Sequence, residues 1–313
     1  MKGVRLLKIT LAVALLAVIF SACVKPEKKP GQVVGGEPTI TLYVNETGEK
    51  KKIKLEEYLA GVVVAEMEPT WPQNALAAQA ILARTFTMEN IESGRVKKIH
   101  GTDVSTDVEE SQAYDPSRIN ERVKKAINDT RGQVIKYKGR YVKGWFSACC
   151  GGVTAGAEEG LDWKKTKTPY IKAGLKDGCM EITNDENRDW WVQFPISTVR
   201  QAVKNKTGQD PGDITGVEIV KRGPSGRAEE IKLGRITISG PALRLALGSE
   251  KMRSTLIKEI KVKGDNLVIN GNGFGHGVGL CQWGAYKMAQ EGKSPEEIIK
   301  FYYQNVTIDK LWK

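Results

Sequence analysis

Residues 55–91, LEEYLAGVVVAEMEPTWPQNALAAQAILARTFTMENI, decide how the rest of the chain folds. They read as two helices broken at Glu68-Pro69-Thr70-Trp71-Pro72. In the first, Leu55, Leu59, Val62, Val63 and Met67 form an apolar stripe at helical period. Two prolines end that helix and reverse the chain, leaving Glu66 at its end. The second helix starts near Gln73 and is rich in Ala over residues 75–83, so another helix or backbone can approach closely. A carboxylate at such a hinge is compatible with two outcomes. One is ordinary core packing; the other is a site where burial raises the carboxyl pKa until it can act as an acid.

Working outward, the pattern predicts an α+β fold. A helical hairpin packs with short β-hairpins and antiparallel strands, with a groove between them. Residues 39–44 and 51–55 read as one hairpin, 133–137 with 140–147 as a second, and 256–262 with 266–270 as a third. Strands at 214–220 and 228–238 flank Gly223-Pro224-Ser225-Gly226. Further helices are expected at 118–128, 196–207, 240–247, 285–291 and 295–304. The polar stretch 100–117 reads as a surface loop, and 160–195 as loop-rich and aromatic. The folded part is taken as 39–313, with a smaller inserted subdomain near 190–265.

The chain opens on a basic start, an apolar run from Ile9 to Phe20 and small residues before Cys23. Residues 1–22 are expected to be an export signal. Phe20-Ser21-Ala22-Cys23 resembles the lipobox of bacterial lipoproteins, which implies a lipid-bearing Cys23 on the outer face of the cytoplasmic membrane. The competing reading is an uncleaved anchor, for which the apolar run is short. Residues 23–38, charged and rich in Pro and Gly, read as a tether.

A formal charge of +11 suits anionic cell-wall polymers or lipid head groups rather than nucleic acid in an exported protein. Only His100 and His276 are present, which excludes a His-rich metal centre. Near the C-terminus, Asn270-Gly271-Asn272-Gly273-Phe274-Gly275-His276-Gly277-Val278-Gly279-Leu280-Cys281-Gln282-Trp283-Gly284-Ala285 alternates glycines with a single His and a Gln. Glycine lets the backbone take positive φ and approach a ligand. The run lacks the lysine and spacing of a P-loop. It reads either as a set of tight turns or as a lined groove.

EYLAGVVVAEMEPTWPQNALAAQAILARTF, TRGQVIKYKGRYVKGWFSACCGGVT and GNGFGHGVGLCQWGAYKMAQEGKSPEEIIKFYY together resemble the stage II sporulation protein D family, the SpoIID/LytB domain, over about residues 39–310. The resemblance implies a peptidoglycan lytic transglycosylase acting on glycan strands stripped of stem peptides, in sporulation or cell-wall remodelling. It implies a catalytic role for Glu66, and substrate contact or an ion-pair role for Arg84. His276 and Gln282 are implied as groove residues. Some family members are amidase enhancers, so a non-catalytic wall-binding partner of an N-acetylmuramoyl-L-alanine amidase is the alternative. Some members bind zinc in the loop matching residues 99–114. Here Ser105, Ser111 and Glu110 stand where that site needs thiolate or imidazole, so no metal is expected, and no cofactor. Cys179 is expected to pair as a disulfide with Cys149 or Cys150, and Cys281 to be a packed thiol.

Overall fold

The computed structural model describes residues 35–313; the expected export signal, Cys23 and the tether as far as residue 34 lie outside the described residues. The first helix, Leu55–Glu66, buries Leu55, Tyr58, Leu59, Gly61, Val62, Val63 and Val64, so its apolar surface is not the single stripe expected from the sequence. It is covered by the second helix, by the turn Pro116–Arg118 and by the helix Glu121–Asp129. A helix that is apolar all round belongs inside a core. Gly61 is required at one contact: a Cβ there would lie 2.4 Å from the Tyr114 ring.

Met67 leaves the helix in an extended conformation, two residues ahead of Pro69. The second helix, Gln73–Ser93, ends at Gly94 with φ +66, a left-handed cap that glycine adopts without strain. It is the central rod of the domain. The strand Gln133–Tyr137 and the helices Glu121–Asp129, Gln282–Gln290 and Pro295–Tyr302 all pack on it. Its alanines let these neighbours approach.

The fold is α+β, with small and mostly antiparallel sheets. Thr39–Val44 and Glu49–Lys54 form the first hairpin, extended in parallel by Val104–Ser105. Gln133–Tyr137 lies between Arg140–Tyr141 and Thr307–Lys310. The expected strand 140–147 is cut short after Tyr141. Phe146–Ser147 instead pairs in parallel with Leu280–Cys281, which docks the glycine-rich segment onto the middle of the chain. Pro38 and Glu37, at the end of the expected tether, are held: the Pro38 carbonyl accepts from Leu55 N–H at 3.1 Å, and Glu37 pairs with Arg131.

Two hydrophobic clusters form. The larger contains both opening helices and the C-terminal helices. The smaller gathers buried residues between Trp190 and Ile269. In it Trp190–Pro195 joins the hairpin Ile257–Lys263 and Asn266–Gly271 as a third strand. Val217–Arg222, Ala228–Leu233 and Ile236–Ser239 form a second sheet, because a turn at Gly234-Arg235 divides the single strand expected over 228–238. The helices Ile196–Thr207 and Gly240–Leu247 complete this layer.

Inside the larger core Arg84 and Glu56 form a buried ion pair, with Nη2 to Oε2 at 2.6 Å and Nε to Oε1 at 3.1 Å. Glu56 also accepts from Gly132 N–H and Trp312 Nε1, and Arg84 Nη1 donates to the Gln133 carbonyl at 3.0 Å. The pair therefore joins the two opening helices to the first residues of a strand and to the C-terminus. Removing one partner of such a pair leaves a buried charge and costs about 3–5 kcal/mol. Arg84→Leu is expected to lower unfolding free energy in urea by that amount. A loss below about 1 kcal/mol, the range of an exposed pair, would contradict this placement.

Candidate active site

Glu66 is the last residue of the first helix, and it opens into a cleft of about 720 Å3. The cleft lies between the two hydrophobic clusters. One wall carries Phe86, Gln112, Ala113, Trp145 and Phe146; the other carries Lys206, Arg244, Leu245 and Ser249. Val108 and Leu245, both lining it, are more than half exposed, at 65% and 57%. The lining is mixed: Glu66, Arg95, Glu109, Lys206, Arg244 and His276 stand among the apolar side chains.

Burial pushes the Glu66 carboxyl up from 4.5 to about 7. The Ala113 N–H, which donates to Oε1 at 3.2 Å, and the Gln282 side chain favour the charged form and temper the rise. Gln282 Nε2 is buried near this carboxyl, yet it meets no described group in hydrogen-bond geometry. It lies close enough to favour the Glu66 carboxylate as a donor and keeps donor capacity free. The Tyr58 hydroxyl is likewise buried without a partner, and burial first, then the Glu66 charge, raises its pKa. Tyr58 stacks on Tyr114 with ring centres 5.4 Å apart. A carboxyl half protonated near neutrality can both give and take a proton.

His276 lines the same cleft. Burial, with Arg244 and Arg227 nearby, lowers its pKa to about 3. Nδ1 accepts from Val278 N–H at 3.0 Å, which assigns the remaining ring proton to Nε2. His276 is therefore a neutral wall residue and not a proton source at neutral pH. Gln282 opens the helix Gln282–Gln290, whose Trp283 and Tyr286 enclose Trp71 of the hinge at 4.8 and 5.0 Å. This aromatic cluster holds the hinge after Glu66 against the segment that carries Gln282.

Arg84 does not reach the cleft. It is fully buried and saturated by Glu56 and backbone carbonyls, so the expected substrate contact is corrected to the ion-pair role. The cations that do line the cleft are Arg95, Lys206 and Arg244; Arg244 donates to the Arg253 and Ser249 carbonyls and has no carboxylate partner among the described residues. Burial lowers its pKa to about 10, so it stays charged at neutral pH. No spacing in the sequence pointed to Arg244, because only the tertiary fold brings the Gly240–Leu247 helix opposite Glu66.

The loop 99–114 is closed by hydrogen bonds. His100 Nε2 meets Glu110 at 2.8 Å, and Ser105 N–H donates to Ser111 Oγ at 3.1 Å. The expected Cys179 disulfide is not formed. Cys149, Cys150, Cys179 and Cys281 are all free and buried, with Cys179 Sγ 3.6 Å from Cys149 Sγ and 3.5 Å from Cys150 Sγ.

Because folding raises the Glu66 pKa, the folded chain holds a proton that the unfolded chain releases between pH 4.5 and about 7. Glu66 therefore contributes most below pH 4.5, and its contribution is lost as pH rises through 7. Glu66→Gln removes that loss. The variant is expected to gain stability over the wild type between pH 4 and pH 8, read from denaturant midpoints. A difference constant with pH would refute the raised pKa.

A family model described as stage II sporulation protein matches residues 43–137, and one described as a domain of unknown function matches residues 171–279. An uncharacterized protein of Brachyspira hyodysenteriae is 33% identical over 82% of this chain and 67% of its own length. The stage II sporulation protein D of Bacillus subtilis is 29% identical over 91% of this chain and 83% of its own. The amidase enhancer of Bacillus subtilis is 27% identical over 80% of this chain but only 40% of its own length.

Proposed function

Since the chain belongs to the stage II sporulation protein D family, we propose that it acts on the cell wall, in sporulation or wall remodelling, as a lytic transglycosylase of peptidoglycan glycan strands. The observation that carries the proposal is the Glu66 carboxyl, held partly protonated near pH 7 on the wall of the large cleft. Glu66 protonates the glycosidic oxygen leaving N-acetylmuramic acid. As the oxocarbenium-like transition state collapses, the same carboxylate takes the proton of the C6 hydroxyl. The C6 oxygen then closes a 1,6-anhydro ring, so no water enters. Enzymes that do admit water use a second carboxylate; the groups that shift Glu66 here, Ala113 N–H and Gln282, are neutral, and the other carboxylate lining the cleft, Glu109, is exposed. Gln282 Nε2 has a free donor for a sugar hydroxyl or acetamide. Arg244, with Lys206 and Arg95 on the same cleft, suits the lactyl carboxylate of a muramic acid whose stem peptide is gone.

Glu66→Gln keeps shape and reach but cannot exchange the proton. Losing general acid–base help costs about 10²–10⁴-fold, so release of anhydro products from denuded strands is expected to fall at least that far. Glu68, exposed and paired with Arg118 at 2.6 Å, is the control, and Glu68→Gln is expected to leave turnover intact. The amidase enhancer among the relatives supports one rival, a non-catalytic wall-binding partner of an amidase. Strand binding without any anhydro product from the wild type would select it.

The place of action proposed is the outer face of the cytoplasmic membrane, through a lipid on Cys23. The support is the small-residue site Ser21-Ala22-Cys23 after the apolar run. Labelled fatty acid is expected in the wild type and absent from Cys23→Ala; equal labelling of both would refute the anchor.

A further inference from the structure

Four thiols and a carboxylate meet in the interior, away from Glu66. Cys149 and Cys150 follow the short strand Phe146–Ser147; Cys179 opens the short helix Cys179–Ile182; Cys281 caps the helix Gln282–Gln290. The ligand atoms of Cys150, Asp177, Cys179 and Cys281 all lie within 4.8 Å of one another, and all four residues are buried. We propose that Cys150, Cys179, Cys281 and Asp177 form a structural zinc site. This replaces the sequence expectation of a metal-free fold stapled by a Cys179 disulfide.

The spacing fits a metal better than a bond between sulfurs. A zinc–sulfur distance of about 2.3 Å places sulfurs about 3.8 Å apart on a tetrahedron. Cys150 and Cys179 are 3.5 Å apart, and Cys150 Sγ lies 3.4 Å from the nearer Asp177 oxygen. A disulfide would join two thiols and leave the third thiol and Asp177 buried together. Cys149 Sγ, 3.6 Å from Cys179 Sγ, borders the set.

The second layer is also in place. Asp177 accepts from the Tyr302 hydroxyl at 2.8 Å and from Cys179 N–H at 3.1 Å, which fix its orientation and leave lone pairs unused. Cys281 Sγ accepts from Cys150 N–H at 3.2 Å and from Gly284 N–H at 3.4 Å, outer hydrogen bonds that orient a ligating sulfur. Arg227 supplies the opposite charge. It is fully buried, donates to the Cys150 carbonyl at 2.6 Å, and has no ion-pair partner among the described residues. The buried Glu159 carboxylate reaches it only through the Ser225 hydroxyl, which leaves the guanidinium short of direct counter-charge in a buried site. Binding zinc releases three thiol protons, and the resulting centre of three thiolates, one carboxylate and Zn²⁺ is net negative, which provides that counter-charge. Soft thiolates without histidine select zinc among the common divalent ions.

The site joins the middle segment to the residue directly before Gln282, so the metal would fix the side chain that faces Glu66. It stands or falls independently of the reaction assigned to Glu66, because its test reads the metal. The full-length chain, produced with zinc present and kept reduced, is expected to carry about one zinc. Exchange into cobalt is expected to give a sulfur-to-cobalt charge-transfer band in the near ultraviolet and the visible bands of a tetrahedral centre. Cys179→Ser and Cys281→Ser are expected to lose the metal; the wild-type cobalt spectrum keeps the test decisive where a variant fails to fold. Chelation is expected to lower the melting temperature. A disulfide among these cysteines in peptide mapping of the reduced preparation, or four titratable thiols and no metal after zinc loading, would overturn the site.

Discussion

The burial of one carboxyl at the end of the Leu55–Glu66 helix is the constraint on which the cleft depends. A helix C-terminus already disfavours negative charge, and removal from water disfavours it further. Among the described residues, Glu66 accepts a hydrogen bond from Ala113 N–H, and the Gln282 side chain adds to this in favouring the charged form. Its neighbours Tyr58 and Gln282 are neutral and keep unpartnered polar atoms. Folding this arrangement is unfavourable locally. The surrounding core sustains it, through a first helix that is buried nearly all round and a second helix that serves as the central rod.

The remainder of the structure holds the partners of that carboxyl in place. The buried Arg84–Glu56 pair joins the two opening helices to the Gln133–Tyr137 strand and the C-terminus. Trp71, at the hinge, is enclosed by Trp283 and Tyr286, so the chain leaving Glu66 and the helix carrying Gln282 are held together. The parallel pairing of Phe146–Ser147 with Leu280–Cys281 docks the glycine-rich segment. There Gly279, at φ +74, has the Trp145 carbonyl 2.1 Å from where a Cβ would be, so no other residue fits without a shift. The smaller cluster contributes the opposite wall and its cation Arg244.

Local pattern made part of this legible. The proline-broken helix pair, the first hairpin and the helices 196–207 and 240–247 follow from spacing and turn residues within one stretch of chain. The glycine motif announced close backbone approach. What escaped depends on long-range packing. A period of apolar residues cannot distinguish a half-buried helix from one covered on every side, so the first helix looked amphipathic. Arg84 stood near Glu66 in the motif, but its side chain points into the core, where Glu56 neutralises it. Arg244 had no signal at all. An exported chain favours disulfides, so the sequence pairs Cys179 with Cys149 or Cys150 and leaves Cys281 a packed thiol; only the fold brings Cys281 and Asp177 to the same point as Cys150 and Cys179.

The central claim is that Glu66 closes the sugar's own C6 oxygen onto the anomeric carbon without water. Digestion of denuded glycan strands in oxygen-labelled water, followed by mass spectrometry of the released ends, tests it most directly. The proposed chemistry predicts 1,6-anhydro ends carrying no solvent oxygen. Reducing ends that contain the label would contradict it and show that water is the nucleophile.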